Sequence, residues 1–103
     1  MKRVSYAELP WTKLERDERI SKSNLCTKSE GGGVTFWKVG KGGGFPAHGH
    51  TGVEYIYVVE GRVEFSGKAL GAGDMLLTAA GERHAAQALE DSVILVFNER
   101  SNR

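Results

Sequence analysis

The chain holds one cysteine, two prolines and three histidines among 103 residues. A lone Cys26 has no intramolecular partner, which excludes a disulfide-framed secreted scaffold. It reads instead as a small buried hydrophobe. No window approaches the ~20 apolar residues of a membrane-crossing helix. The opening Met1-Lys2-Arg3-Val4-Ser5-Tyr6 leads into Pro10 and a charged stretch rather than an apolar signal core. The expectation is a cytoplasmic protein that does not engage a membrane. Charge of one sign is also missing: 14 Lys and Arg against 13 Asp and Glu leave a net +1. That balance offers no broad phosphate-neutralising face, so nucleic acid is not an expected partner.

What the chain does have is glycine, 14 in all, with Gly31-Gly32-Gly33 and Gly42-Gly43-Gly44 punctuating strand-like runs. Short strands with tight turns are favoured over helices. The length fits one domain, residues 1–103. Residues 1–20 carry scattered apolar anchors (Leu9, Trp11, Leu14, Ile20) and read as an irregular lead-in or edge strand. The core spans about residues 33–98. Strands are expected at Leu25-Cys26-Thr27, Val34 to Val39, 45–50, Val53 to Glu60, Val63 to Phe65, Lys68 to Leu70, Met75 to Thr78 and His84 to Leu89. Ser92 to Asn98 is a nearly continuous apolar strand, read as buried on both faces, either in the core or against a second subunit. Asn98 opens a polar, frayed tail. About eight to ten strands at turn spacing predict an all-β sandwich or barrel.

All three histidines sit where one metal ion could use them. His48 and His50 are two residues apart, so in a strand their side chains point to one face. Glu54 follows four residues later, and His84 lies 34 residues beyond His50. An unbroken strand would hold His48 and Glu54 about 20 Å apart, which a shared ion at about 2 Å from each donor forbids. The backbone must therefore reverse or bulge near Thr51-Gly52. His48 and His50 then end one strand, Glu54 begins the next, and His84 comes from a third.

These residues resemble the cupin superfamily. Its first motif is met by Gly42, His48, His50, Glu54 and Gly61 at every spacing. Its second is met by Gly73, Gly81 and His84, with Ala79 where proline is usual and Ala88 where asparagine is usual. The departures fall on fold-shaping positions. The resemblance covers residues 33–98 and implies a double-stranded β-helix, the jelly-roll barrel, as a homodimer with the metal inside. The sequence is also similar to the cupin domain of ChrR-type anti-sigma regulators. A separate sigma-binding domain has no room in these residues, so a direct anti-sigma role is not expected.

His48, His50, Glu54 and His84 are thus the expected ligands of one divalent transition-metal ion. Fe, Mn, Zn, Ni, Co and Cu all suit imidazole and carboxylate donors. Glu54 is also the candidate catalytic base. The leading expectation is a metal-dependent enzyme, dioxygenase-like, acting on a small enolisable or phenolic molecule. Oxygen-independent isomerase or lyase chemistry on a sugar acid is one alternative, and a noncatalytic metal- or ligand-sensing cupin is another. Strand alternation puts Tyr55 and Tyr57 opposite the carboxylate, in core or dimer packing, and Ile56 and Val58 on the cavity side. Phe45, Trp37 and Phe97 read as core aromatics, with a roof over the pocket as the alternative for Phe45. Arg83 and Gln87 flank His84, where they either orient a substrate oxygen or sit exposed.

Overall fold

A computed structural model describes residues 1, 3–27, 33–49 and 52–99, with the backbone alone for residues 26 and 27. The expectations placed on His50, on Thr51, on Gly31 and Gly32 and on the Cys26 side chain lie outside the described residues. A 3-10 turn at Tyr6–Glu8 precedes ten strands: β1 (Thr12–Lys13), β2 (Ile20–Thr27), β3 (Gly33–Val39), β4 (Gly44–Gly49), β5 (Glu54–Glu60), β6 (Arg62–Phe65), β7 (Lys68–Gly71), β8 (Met75–Thr78), β9 (Arg83–Ala88) and β10 (Ser92–Asn98). Among the described residues no helix is long and apolar enough to cross a membrane.

The strands form two antiparallel sheets. One has six strands in the order β1-β2-β3-β10-β5-β8, the other four in the order β4-β9-β6-β7. From β3 onward, apart from the β6–β7 hairpin, the chain steps back and forth between them, the weave of a jelly roll. The step from β5 to β6 is made at a single residue, Gly61, whose φ is +86°. A Cβ there would run into Ser92 Oγ and the Asp91 carbonyl. Only glycine suits both the left-handed backbone and the close approach.

The inner faces of the sheets bury Ile56, Val58, Val63, Phe65, Leu70, Ala86, Ile94 and Val96 as one cluster. Ile20, Val39 and Ala88 form a second, with Leu14, Trp37 and Phe45 packed on it. Apolar contact of this kind is the main favourable term in folding.

The all-β jelly roll matches the expectation, while several details differ. Ile20 does not belong to a loose lead-in; it opens β2, pairs with Val39 and is fully buried. The lead-in supplies the edge strand β1, paired to β2 through Thr12 and Lys13. Strand β10 is buried on its inner face, whereas Phe97 on the outer face is 42% exposed and is no core aromatic. Tyr55 and Tyr57 share that outer, exposed face. Parity explains the pattern: Phe97 alternates with Val96 and Asn98, so when those point inward Phe97 cannot.

Candidate functional site

The site begins with an irregularity in β4. This strand is an edge of its sheet, the location where a proline's missing N–H is tolerated. In β4, Phe45 pairs with Ala86 and His48 pairs with His84, so three residue steps on β4 match two on β9. The extra residue at Pro46-Ala47 is a β-bulge. In a regular strand Phe45 and His48 would face opposite ways. The bulge turns both into the space between the sheets, where both line the same cavity. Gly44 permits the close approach of β4 to β9, since a Cβ there would meet the Ala86 carbonyl oxygen.

Opposite them, β5 directs Glu54 inward as its first residue. Glu54 is 4% exposed and His84, on β9, is 7% exposed. His84 Nε2 lies 3.4 Å from Glu54 Oε1, and the His48 and His84 rings meet edge to face with centroids 4.8 Å apart. Phe65 stands edge-on to His84 at 6.1 Å. His48 Nδ1 is 2.8 Å from the Pro46 carbonyl oxygen. A carbonyl only accepts, so Nδ1 donates to it; in the neutral ring Nε2 is then the nitrogen with the lone pair, the orientation that a metal-ligating histidine uses.

These groups close one end of a cavity of about 450 Å³, within the range of small-molecule sites. Trp37, Phe45, Ile56, Phe65, Ile94 and Val96 supply apolar walls, with Trp37 and Phe45 packed edge to face at 5.1 Å. Burial in these surroundings pushes the Glu54 carboxyl up to about 7 from its usual 4.5, because a low-dielectric site disfavours the ionised form. At the rim, Arg83 donates from Nη2 to the Ala47 carbonyl at 3.1 Å. Among the described residues, which omit His50, no three ligand-type side chains meet as a ready-made cation site.

A family profile described as the ChrR cupin-like domain matches residues 1–102. The chain belongs to that family. No curated protein matches it. Its fold is similar to that of a chain in the complex of Rhodobacter sphaeroides SigE with the anti-sigma ChrR, at 23% identity and a TM-score of 0.79. That likeness covers 92% of this chain and 52% of the other, so the chain spans about half the length of that relative. KdgF from Halomonas sp. is 27% identical with a TM-score of 0.75, covering 93% of this chain and 91% of its own. An acetylacetone dioxygenase from Acinetobacter johnsonii shares 16% identity and a TM-score of 0.79, covering 95% and 72% respectively.

Within this cupin the expected residues separate clearly. His48, Glu54 and His84 come together from three strands, with the chain changing sheet between His48 and Glu54. His50 lies outside the described residues. Ile56 lines the cavity, whereas Val58 is buried in the core behind it. Arg83, at the start of β9, reaches the cavity rim; Gln87, exposed on the same side farther along the strand, does not line it. Asn98, read from sequence as the start of a frayed tail, is the last residue of β10 and part of the cavity wall. Its signal was the continued alternation Ile94, Val96, Asn98, which its polarity obscured.

Proposed function

We propose that this chain is a metal-dependent enzyme that acts on a small molecule with dioxygenase-like chemistry. His48, His50, Glu54 and His84 would hold one divalent transition-metal ion. The observation that carries the reading is the convergence of His48, Glu54 and His84 at the polar end of an otherwise apolar cavity. The donor set suits such an ion. Two donors each about 2.1 Å from a centre, at tetrahedral to octahedral angles, stand roughly 3.0–3.4 Å apart. The Glu54 and His84 atoms are 3.4 Å apart.

When bound, the ion would supply Lewis-acid polarisation of a substrate oxygen and, if redox-active, electrons for oxygen chemistry. The chain's own residues do the rest. The aromatic and aliphatic walls exclude water and hold an apolar body. Glu54, buried at the polar end of the cavity, is placed to accept a proton from an enolisable or phenolic substrate at its Oε atoms. The apolar lining favours such a molecule over a sugar acid, whose many hydroxyls would need partners that these walls do not provide.

Two measurements test the reading. Elemental analysis of protein purified from its own host should find about one transition-metal ion per chain. Anaerobic Fe(II) loading followed by oxygen-uptake assays on acetylacetone, catechol and a flavonol should show uptake with at least one. Uniform absence of uptake counts against it. Turnover of a sugar acid without oxygen would move the assignment to isomerase or lyase chemistry. Membership of the ChrR cupin-like family favours a second reading, noncatalytic metal or ligand sensing. Specific capture of a regulator by a catalytically silent protein would support that one.

The proposed partner in assembly is a second copy of this chain. The outer face of the six-stranded sheet carries two apolar ranks across four strands: Leu77, Tyr55, Phe97 and Val34, then Met75, Tyr57, Leu95 and Phe36. Near Phe36 the chain covers this face itself, with Tyr6 packed on that ring at 5.5 Å. Toward β5 and β8 it is bare: Met75 and Leu77 are each 59% exposed, with Tyr55, Tyr57, Val59 and Phe97 near 40%. At about 200 Å² per large side chain these six expose roughly 500 Å². Doubled across a two-fold axis, that reaches the ~1,000 Å² expected of a stable interface. Sedimentation should give a dimer mass for the parent and a monomer for Leu77→Glu; a monomeric parent refutes the pairing.

A further inference from the structure

The inner face of the six-stranded sheet ends in a polar row. Asn98 on β10 stands opposite Glu54 on β5, which stands opposite Thr78 on β8. The next row inward, Val96, Ile56 and Leu76, is apolar. Two members of the polar row have contacts that account for them. Glu54 faces His84, and the Thr78 hydroxyl donates to the Glu54 backbone carbonyl at 3.4 Å. Asn98 is different. It lines the cavity, yet its Oδ1 is sealed from solvent and, among the described residues, no group donates to it.

A buried amide oxygen without a partner is costly, and nearly all such groups in folded proteins are satisfied. The primary amide carries two donors as well as its acceptor. Its terminal torsion is broad, so modest rotation brings either end to the cavity. Nothing in the core requires a polar residue here, since the neighbouring row on the same strands is aliphatic throughout.

We infer that Asn98 is a ligand-binding residue, whose amide hydrogen-bonds an oxygen of the bound molecule beside Glu54. The ligand class follows from the walls: an apolar, aromatic-sized body bearing a hydroxyl or enol oxygen at the end that enters the polar row. The inference rests on the reading of the cavity as a small-molecule site. It requires no particular metal. A site built to pair with a ligand oxygen discriminates against analogues lacking one, because its own polar group is then left stranded.

Calorimetric titration of the protein as purified, with its metal content measured alongside, tests this with 1-naphthol and 1-methylnaphthalene. The two have similar size, and the second lacks the oxygen. The parent should prefer 1-naphthol. In Asn98→Leu that preference should fall by about tenfold, the scale of one buried hydrogen bond, with 1-methylnaphthalene bound no more weakly and metal content unchanged. Asn98→Ala serves in its place if the leucine variant does not fold. An unchanged preference in the folded variant, or failure of the parent to bind 1-naphthol, overturns the inference. Intact metal content in either case leaves the metal assignment standing, so the two ideas fail separately.

Discussion

Glu54 should dominate the pH dependence of stability of the metal-free protein. Its carboxyl titrates at about 7 in the folded chain against an ordinary 4.5, the result of burial. Between those values the native state keeps a proton that the unfolded chain has released. The stability associated with the neutral carboxyl is therefore fully present below pH 4.5 and is lost as pH rises through 7. A shift of this size corresponds to about 3 kcal/mol over the window, a large share of the ~5–15 kcal/mol that holds a domain together.

Glu54→Gln keeps the shape and abolishes the titration. Urea unfolding of parent and variant in the presence of a chelator, in half-unit steps from pH 4.5 to 8.5, isolates the effect of the Glu54 site as a difference, since groups remote from it titrate alike in both. The curves should coincide near pH 4.5 and separate by about 3 kcal/mol in favour of the variant near pH 8. A difference that stays flat across the window refutes the argument. Metal should reverse the sign. A cation favours ionised Glu54, so Zn(II) or Mn(II) should stabilise the parent increasingly with pH and release protons on binding, and should do so less for Glu54→Gln.

Two further outcomes are expected. Gly61→Ala should destabilise the fold by at least about 2 kcal/mol, through its positive φ and the collision of the new methyl group with Ser92 Oγ; a loss under about 0.5 kcal/mol in denaturant melts would contradict that reading. His84→Ala should lower metal content strongly while circular dichroism stays β-rich, and His48→Ala should do the same. Unchanged metal in both variants would remove these imidazoles from the ligand set.

The convergence of His48, Glu54 and His84 was legible because a chain-distance argument needs only spacing. Donors too far apart along one strand must come from different strands. The bulge at Pro46-Ala47 was not legible. Simple alternation puts Phe45 and His48 on opposite faces, and the proline hints at an edge without saying which way the next side chain turns. Phe97 misled because hydrophobicity states that a side chain prefers burial, not which sheet face it occupies. Ile20 was hidden by the polar Ser21, Lys22, Ser23 and Asn24 that follow it, although pairing with β3 makes that stretch a strand.

Phe97 and Asn98 err in opposite directions for one reason. Adjacent positions at the end of β10 point to opposite faces, so the aromatic one looks outward and the polar one inward. A chain selected for stability alone would be expected to reverse them, burying the ring and exposing the amide. The same inversion recurs on β5, where Glu54 is buried and Tyr55 is exposed directly beside Asn98 and Phe97. Local rules that fail twice at one paired site, in register and in the same sense, mark a place where stability yields to function. The inward pair lines the cavity, and the outward aromatic pair lies on the face proposed for contact with a second copy. Substituting either inward residue by an isosteric, uncharged or apolar one should therefore cost binding before it costs folding.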